Sequence, residues 1–173
     1  IPHGFASVQE AIAWGEFDAV TNVTPDAAHY PTTLPFLAAG KHVLCEKPLA
    51  MTLADAVGMV RAAEAAGRVL ATNHHLRCSG AHRAIRDLIG AGRIGKVLSV
   101  RIHHAVHLPP HLQCWRIDAP EAGGGVIGDI TVHDADTAHF LLGEVPQSVV
   151  AEAVSSGMGH GVEDSAMSVW TMP

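Results

Sequence analysis

Asp129 and His133, four residues apart, are the pair whose types and spacing say most about chemistry. On a helix that spacing puts both side chains on one face, roughly 5–6 Å apart at Cβ. Gly123-Gly124-Gly125 precedes the run, and missing side chains there let a substrate approach the backbone. A histidine gives and takes a proton near neutral pH, and a neighbouring carboxylate can hold its tautomer. The plainer alternative is a solvated Asp–His pair on a helix surface. Lys47 stands between Glu46 and Pro48. Proline pushes the residue before it out of the α region, so a strand ending here leaves Lys47 at its tip. A lysine so placed can polarise a carbonyl oxygen or bind an anion as a point charge; an ordinary turn lysine is the alternative. Trp115-Arg116 offers an indole wall and a guanidinium fork, suited either to a pocket or to an interface, and the sequence leaves both open.

There are 13 histidines, and His103, His104, His107 and His111 crowd one segment. His103 and His104 would point to opposite faces of a strand, and no Cys pair or His-Glu-x-x-His accompanies them. The expectation is pocket-lining or satisfied histidines and no metal site. The Gly123–Gly125 run precedes a helix but follows no strand, so it is not a dinucleotide fingerprint. Motif alone does not support cofactor binding.

The elements that must position these groups alternate in the first half. Residues 7–14 read as a short helix, with Ser7 as N-cap and Glu10 completing a capping box. A β-rich run at 18–24 stops at Pro25, a helix at 29–39 closes on Gly40, and an apolar run at 42–45 stops at Glu46-Lys47-Pro48. Thr52 caps a helix over 52–66 that ends at Gly67, and 69–73 is another short strand. Strand–helix–strand–helix–strand with short joints predicts a parallel sheet, whose ligands bind at the carboxyl ends of the strands. Those ends carry Thr24-Pro25-Asp26, Glu46-Lys47-Pro48 and Asn73-His74-His75. Beyond about residue 75 the pattern changes. It gives a helix at 81–89, a half-buried strand at 96–104, a loop at 107–125, a helix at 126–142, and strands at 147–154 and 163–171. Two strands without an intervening helix suggest an antiparallel sheet. The expected fold class is therefore α/β, a partial Rossmann-type parallel sheet followed by an α+β domain with an open, mainly antiparallel sheet, in two domains, 1–75 and 76–173.

The composition narrows the function classes. Apolar residues are 48% and charged ones 16%, which provides a core and argues against disorder. A formal net charge of -6 with scattered Lys and Arg gives no electrostatic footprint for nucleic acid or an acidic membrane. Cys45, Cys78 and Cys114 form no Cys-x-x-Cys pair, which fits a reducing, cytoplasmic compartment better than a disulfide framework. No apolar run has membrane-spanning length. The chain opens at Ile1 and ends at Pro173 straight after a strand-like run, so it reads as an internal piece of a longer enzyme.

Ala39 to Pro48 (AGKHVLCEKP), followed by Gly123 to Asp129 (GGGVIGD) and His133, resembles the Gfo/Idh/MocA oxidoreductase family over nearly the whole chain. Stretches 72–77, 104–116, 125–136 and 157–159 are similar to one sugar-reductase branch of it. The strand end Val23-Thr24-Pro25-Asp26 has the general family form, where that branch is more polar. The resemblance implies a nicotinamide-binding Rossmann domain whose glycine loop would precede Ile1, and a substrate domain whose open sheet serves as a face for homo-oligomers. It also implies hydride transfer to or from a sugar or polyol, with Lys47, Asp129 and His133 as catalytic residues. The same resemblance puts Thr24, Pro25, Asp26, His29, Glu46, Lys47 and Asn73 on the nicotinamide side of the cofactor site. Trp115 and Arg116 would lie near nicotinamide and substrate. NADP(H) is implied ahead of NAD(H) through that branch. Rival expectations are an inositol- or dihydrodiol-type dehydrogenase and a non-catalytic sugar or nucleotide sensor, and the isolated 173 residues are expected to be inactive.

Overall fold

The computed structural model describes residues 3–113, 117 and 124–173. They divide into two compact units between Asn73 and His74.

In the first unit, helix α1 (Val8–Trp14) precedes strand β1 (Ala19–Asn22). A 3-10 turn at Asp26–Ala28 then leads into α2 (His29–Ala38), β2 (His42–Cys45), α3 (Leu53–Ala66) and β3 (Leu70–Thr72). The strands lie in the order β1-β2-β3 and are all parallel, with Asn22 opposite Cys45 and Cys45 opposite Thr72. All three therefore end at the same edge of the sheet. The helix boundaries follow local rules. The Ser7 hydroxyl accepts from Glu10 N, and the Thr52 hydroxyl accepts from Asp55 N. α1 and α3 close on Gly15 and Gly67, each in the left-handed region that glycine adopts without a side-chain clash. The core is Phe36, Leu37, Val43, Cys45, Met59 and Ala63, where α2 and α3 cover the sheet. Leu37 and Met59 are fully buried, and each contributes on the order of 2 kcal/mol by leaving water.

The second unit holds a 3-10 turn at His75–Cys78, helix α4 (Gly80–Gly90), a π-helical turn at Ile127–Thr131 running into α5 (Val132–Leu142), and strands β4 (Ser148–Val154) and β5 (Ser165–Thr171). β4 and β5 pair antiparallel in register from Ser148–Thr171 to Val154–Ser165. Their apolar side chains are open to solvent, with Val150, Met167 and Val169 each at least 70% exposed. The parallel-then-antiparallel fold class expected from the sequence is the one observed.

Three expectations are corrected. The first strand is shorter than 18–24, because Asn22 Oδ1 accepts from both the N–H and the hydroxyl of Thr24 and turns the chain out of the ladder. Residues 96–104 form no strand. Alternation alone builds no ladder, and among the described residues β4 and β5 pair only with each other. The helix expected over 126–142 begins with a π-helical turn, in which Val132 N–H reaches back to Ile127 O.

Candidate active site

At the sheet edge of the first unit, side chains lace the three strand ends together. Asn22, 4% exposed, uses every atom of its amide. Its Nδ2 donates to Thr32 Oγ1 at 2.7 Å, to Thr33 Oγ1 at 3.0 Å and to His29 O at 3.3 Å, while Oδ1 holds Thr24. His29 is fully buried, with Nδ1 2.7 Å from Pro48 O and Nε2 3.0 Å from Thr24 O. Glu46 links the other two ends: Oε1 accepts from Asn73 Nδ2 at 2.6 Å and Oε2 from Lys47 N at 3.3 Å. Asn73 N–H also donates to Cys45 O at 2.8 Å.

Of the residues expected here, Thr24, Asp26, Glu46, Lys47 and Asn73 are half-buried, Pro25 is exposed, and all sit at that one edge. The Lys47–Pro48 peptide is cis. Cys45, beneath them, is driven up to about 11 by burial, against an opposing hydrogen bond from the Thr33 hydroxyl. Sequence reading passed over Asn22. Its signal was a lone amide inside the β-rich run DAVTNVT.

In the second unit His133 is 7% exposed on the first turn of α5, and Asp129 lies in the π-helical turn just before it. The rings of His75 and His74 meet that of His133 edge-on, at 5.1 and 6.3 Å between centroids. Arg77 forks onto Asp136, and His74 Nδ1 lies 3.8 Å from Asp136 Oδ2. That carboxylate raises the Arg77 pKa, mainly through the hydrogen bond. The π-helical turn is fixed from the hairpin: Glu163 O accepts from Val126 N at 2.9 Å, and Glu163 Oε1 accepts from Ile127 N at 3.2 Å. Gly125 lies so close that a Cβ would collide with the Glu163 backbone. A glycine is required there by contact. Trp115, Arg116 and Gly123 lie outside the described residues. Among the described residues no group of three or more His, Cys, Asp or Glu could hold a metal ion, and no helix is long and apolar enough to cross a membrane.

The strand-end edge of the first unit could hold a ligand. Parallel strands ending together present polar, half-buried groups at the edge where such sheets bind ligands. The second unit offers a buried imidazole with a carboxylate close in sequence, the pairing that proton transfer uses.

Comparison with known proteins gives the same division. Residues 2–74 match the family model described as "Oxidoreductase family, NAD-binding Rossmann fold", and residues 82–173 match the GFO/IDH/MocA C-terminal domain. The chain is 59% identical to 1,5-anhydro-D-fructose reductase of Ensifer adhaerens over 93% of its own length and 49% of that protein's. The solved aldose-aldose oxidoreductase of Caulobacter crescentus, complexed with glycerol, superposes with a TM-score of 0.81 at 30% identity, covering 95% of this chain and 50% of that one. An inositol dehydrogenase homologue from Azotobacter vinelandii, complexed with NAD+, superposes with a TM-score of 0.84 at 25% identity, covering 97% and 47%. The chain thus spans about half the length of the curated relatives it matches. By both halves of its sequence and by its fold, the chain belongs to the Gfo/Idh/MocA family of oxidoreductases.

Proposed function

We propose that the whole protein is a nicotinamide-dependent sugar oxidoreductase that reduces a keto sugar of the 1,5-anhydro-D-fructose type. One observation carries the reading: a lysine at the tip of a parallel strand, beside a Glu46 that donates its N–H to Asn22 O and accepts from Asn73, in a chain 59% identical to a reductase of that name. Thr24, Pro25, Asp26, Glu46, Lys47 and Asn73, backed by His29, are the residues that would hold the nicotinamide half of the cofactor. Trp115 and Arg116 are assigned beside it by resemblance. When bound, the nicotinamide supplies the hydride.

The chain's own residues do the rest. Lys47 polarises and orients the carbonyl oxygen as a compact positive charge. His133 is the proton donor of this proposal, and Asp129 sets the imidazole or holds a neighbouring hydroxyl. Protein groups thus contribute positioning and charge, and hydride chemistry belongs to the cofactor. NADPH is the proposed cofactor, the reducing cytoplasm the proposed compartment, and the solvent-exposed β4–β5 sheet the proposed face for homo-oligomers, testable by light scattering.

A second reading, an inositol-type dehydrogenase using NAD+, is favoured by the Azotobacter vinelandii neighbour. A panel of 1,5-anhydro-D-fructose, inositols and aldoses, each with both cofactors in both directions, separates the two. NADPH consumption strongest with the anhydro ketose supports the first reading. Preferred NAD+ reduction with inositols replaces it, and sugar binding without turnover of any nicotinamide ends both.

A further inference from the structure

The geometry assigns His29 a role as an internal strut that positions Lys47, rather than as a group touching cofactor. The inference rests on the reading of Lys47 as a reacting-site residue. His29 is fully buried at the start of α2, so no ligand at the sheet edge reaches its ring. Both ring nitrogens already face backbone carbonyls, Pro48 O at 2.7 Å and Thr24 O at 3.0 Å. Those two carbonyls belong to the segments that follow β1 and β2, so the ring spans the gap between two strand ends. A neutral ring donates from only one nitrogen, and Pro48 O is the nearer acceptor.

Pro48 itself carries no N–H with which to anchor its segment. Its carbonyl, one residue beyond Lys47, is the handle that the ring takes. From the other side, Glu46 accepts from the Lys47 N–H. Lys47 is thereby flanked by one fixed residue on each side along the chain. The strut is itself fixed, because Asn22 Nδ2 donates to His29 O and Asn22 Oδ1 holds Thr24. A ring placed this way transmits the positions of β1 and α2 to the amine at the tip of β2, which is what a positioning residue does.

The test compares His29→Ala, His29→Gln and Met59→Ala in the whole protein. Met59 is equally buried but belongs to the apolar core, so it reports loss of packing alone. Expected for His29→Ala is a fall in turnover of about tenfold or more, since small misplacement of a reacting group is costly. The cofactor KM should stay within about twofold, the turnover–pH profile should shift, and the hydrogen-bonded Glu46 and Lys47 amides should exchange faster. His29→Gln keeps one donor for Pro48 O and should recover part of the turnover. Met59→Ala should lower the melting temperature without these changes. Wild-type turnover and pH profile in His29→Ala, or an equal turnover loss in Met59→Ala at the same melting temperature, overturns the strut. If Lys47→Ala itself keeps wild-type turnover, it is the reading of Lys47 that falls; unchanged exchange at Glu46 and Lys47 in His29→Ala is what removes His29.

Discussion

Arg77 and Asp136, 59 residues apart, form a bidentate pair, with Nε 2.9 and 2.8 Å from the two carboxylate oxygens and Nη2 2.5 Å from Oδ1. Asp136 is 8% exposed at its side chain and Arg77 43%, so the acid is the buried partner. The pair fastens the segment carrying His74 and His75 to the helix carrying His133.

Removing the base should therefore cost more than a surface pair would. Arg77→Ala leaves a largely buried carboxylate short of donors, and we expect a loss of about 1–2 kcal/mol, moderated because the guanidinium is half in water. Urea unfolding checks this. The gap between wild type and variant should narrow as salt is added.

Gly125 lies against the Glu163 backbone. Gly125→Ala must push the hairpin away from Val126 and Ile127, and the overpacking should cost about 1–3 kcal/mol. Turnover should fall with it, because Asp129 N–H donates to Gly125 O and moves with that residue. Thermal melts and steady-state rates measure the two effects separately.

Asp164 folds back on the hairpin tip, accepting from the N–H groups of Ser156, Met158 and Gly159. These bonds, Ser156 first, lower its pKa from an ordinary 3.8 to about 2. A depressed folded value means the tip is supported above the unfolded pKa and loses that support as pH falls from about 4 toward 2. Protection of the Ser156 and Met158 amides, followed by NMR, should fade in that window. In Asp164→Asn it should be low at every pH.

Cys45 is fully buried and its thiol is held near 11, so at pH 8 the thiolate fraction is on the order of one in a thousand. Cys78 is exposed. Alkylation followed by peptide mass spectrometry should label Cys78 promptly and Cys45 only after unfolding.

What the sequence showed and what it hid separate by range. Thr52, Asp55 and Gly67 bound α3 because capping acts within three residues of a helix end. The parallel sheet and its shared edge followed from alternation, so Thr24, Glu46, Lys47 and Asn73 fell together. The π-helical turn did not, because it is held by Glu163, 36 residues along the chain from Ile127. Residues 96–104 alternate like a strand, yet Leu98 is 87% exposed and the run pairs with no strand among the described residues. The bonds from Asn22 to Thr32 and Thr33, from His29 to Pro48 and from Arg77 to Asp136 span distances that no local pattern encodes.

The central proposal is that Lys47 and His133 each serve the sugar reduction as catalytic residues. Single-turnover hydride transfer, followed by nicotinamide absorbance in the whole protein, in Lys47→Ala and in His133→Ala, tests it most directly. Each single change should slow transfer by about 10²–10⁴ while cofactor affinity changes little. A wild-type transfer rate in either single variant would contradict it.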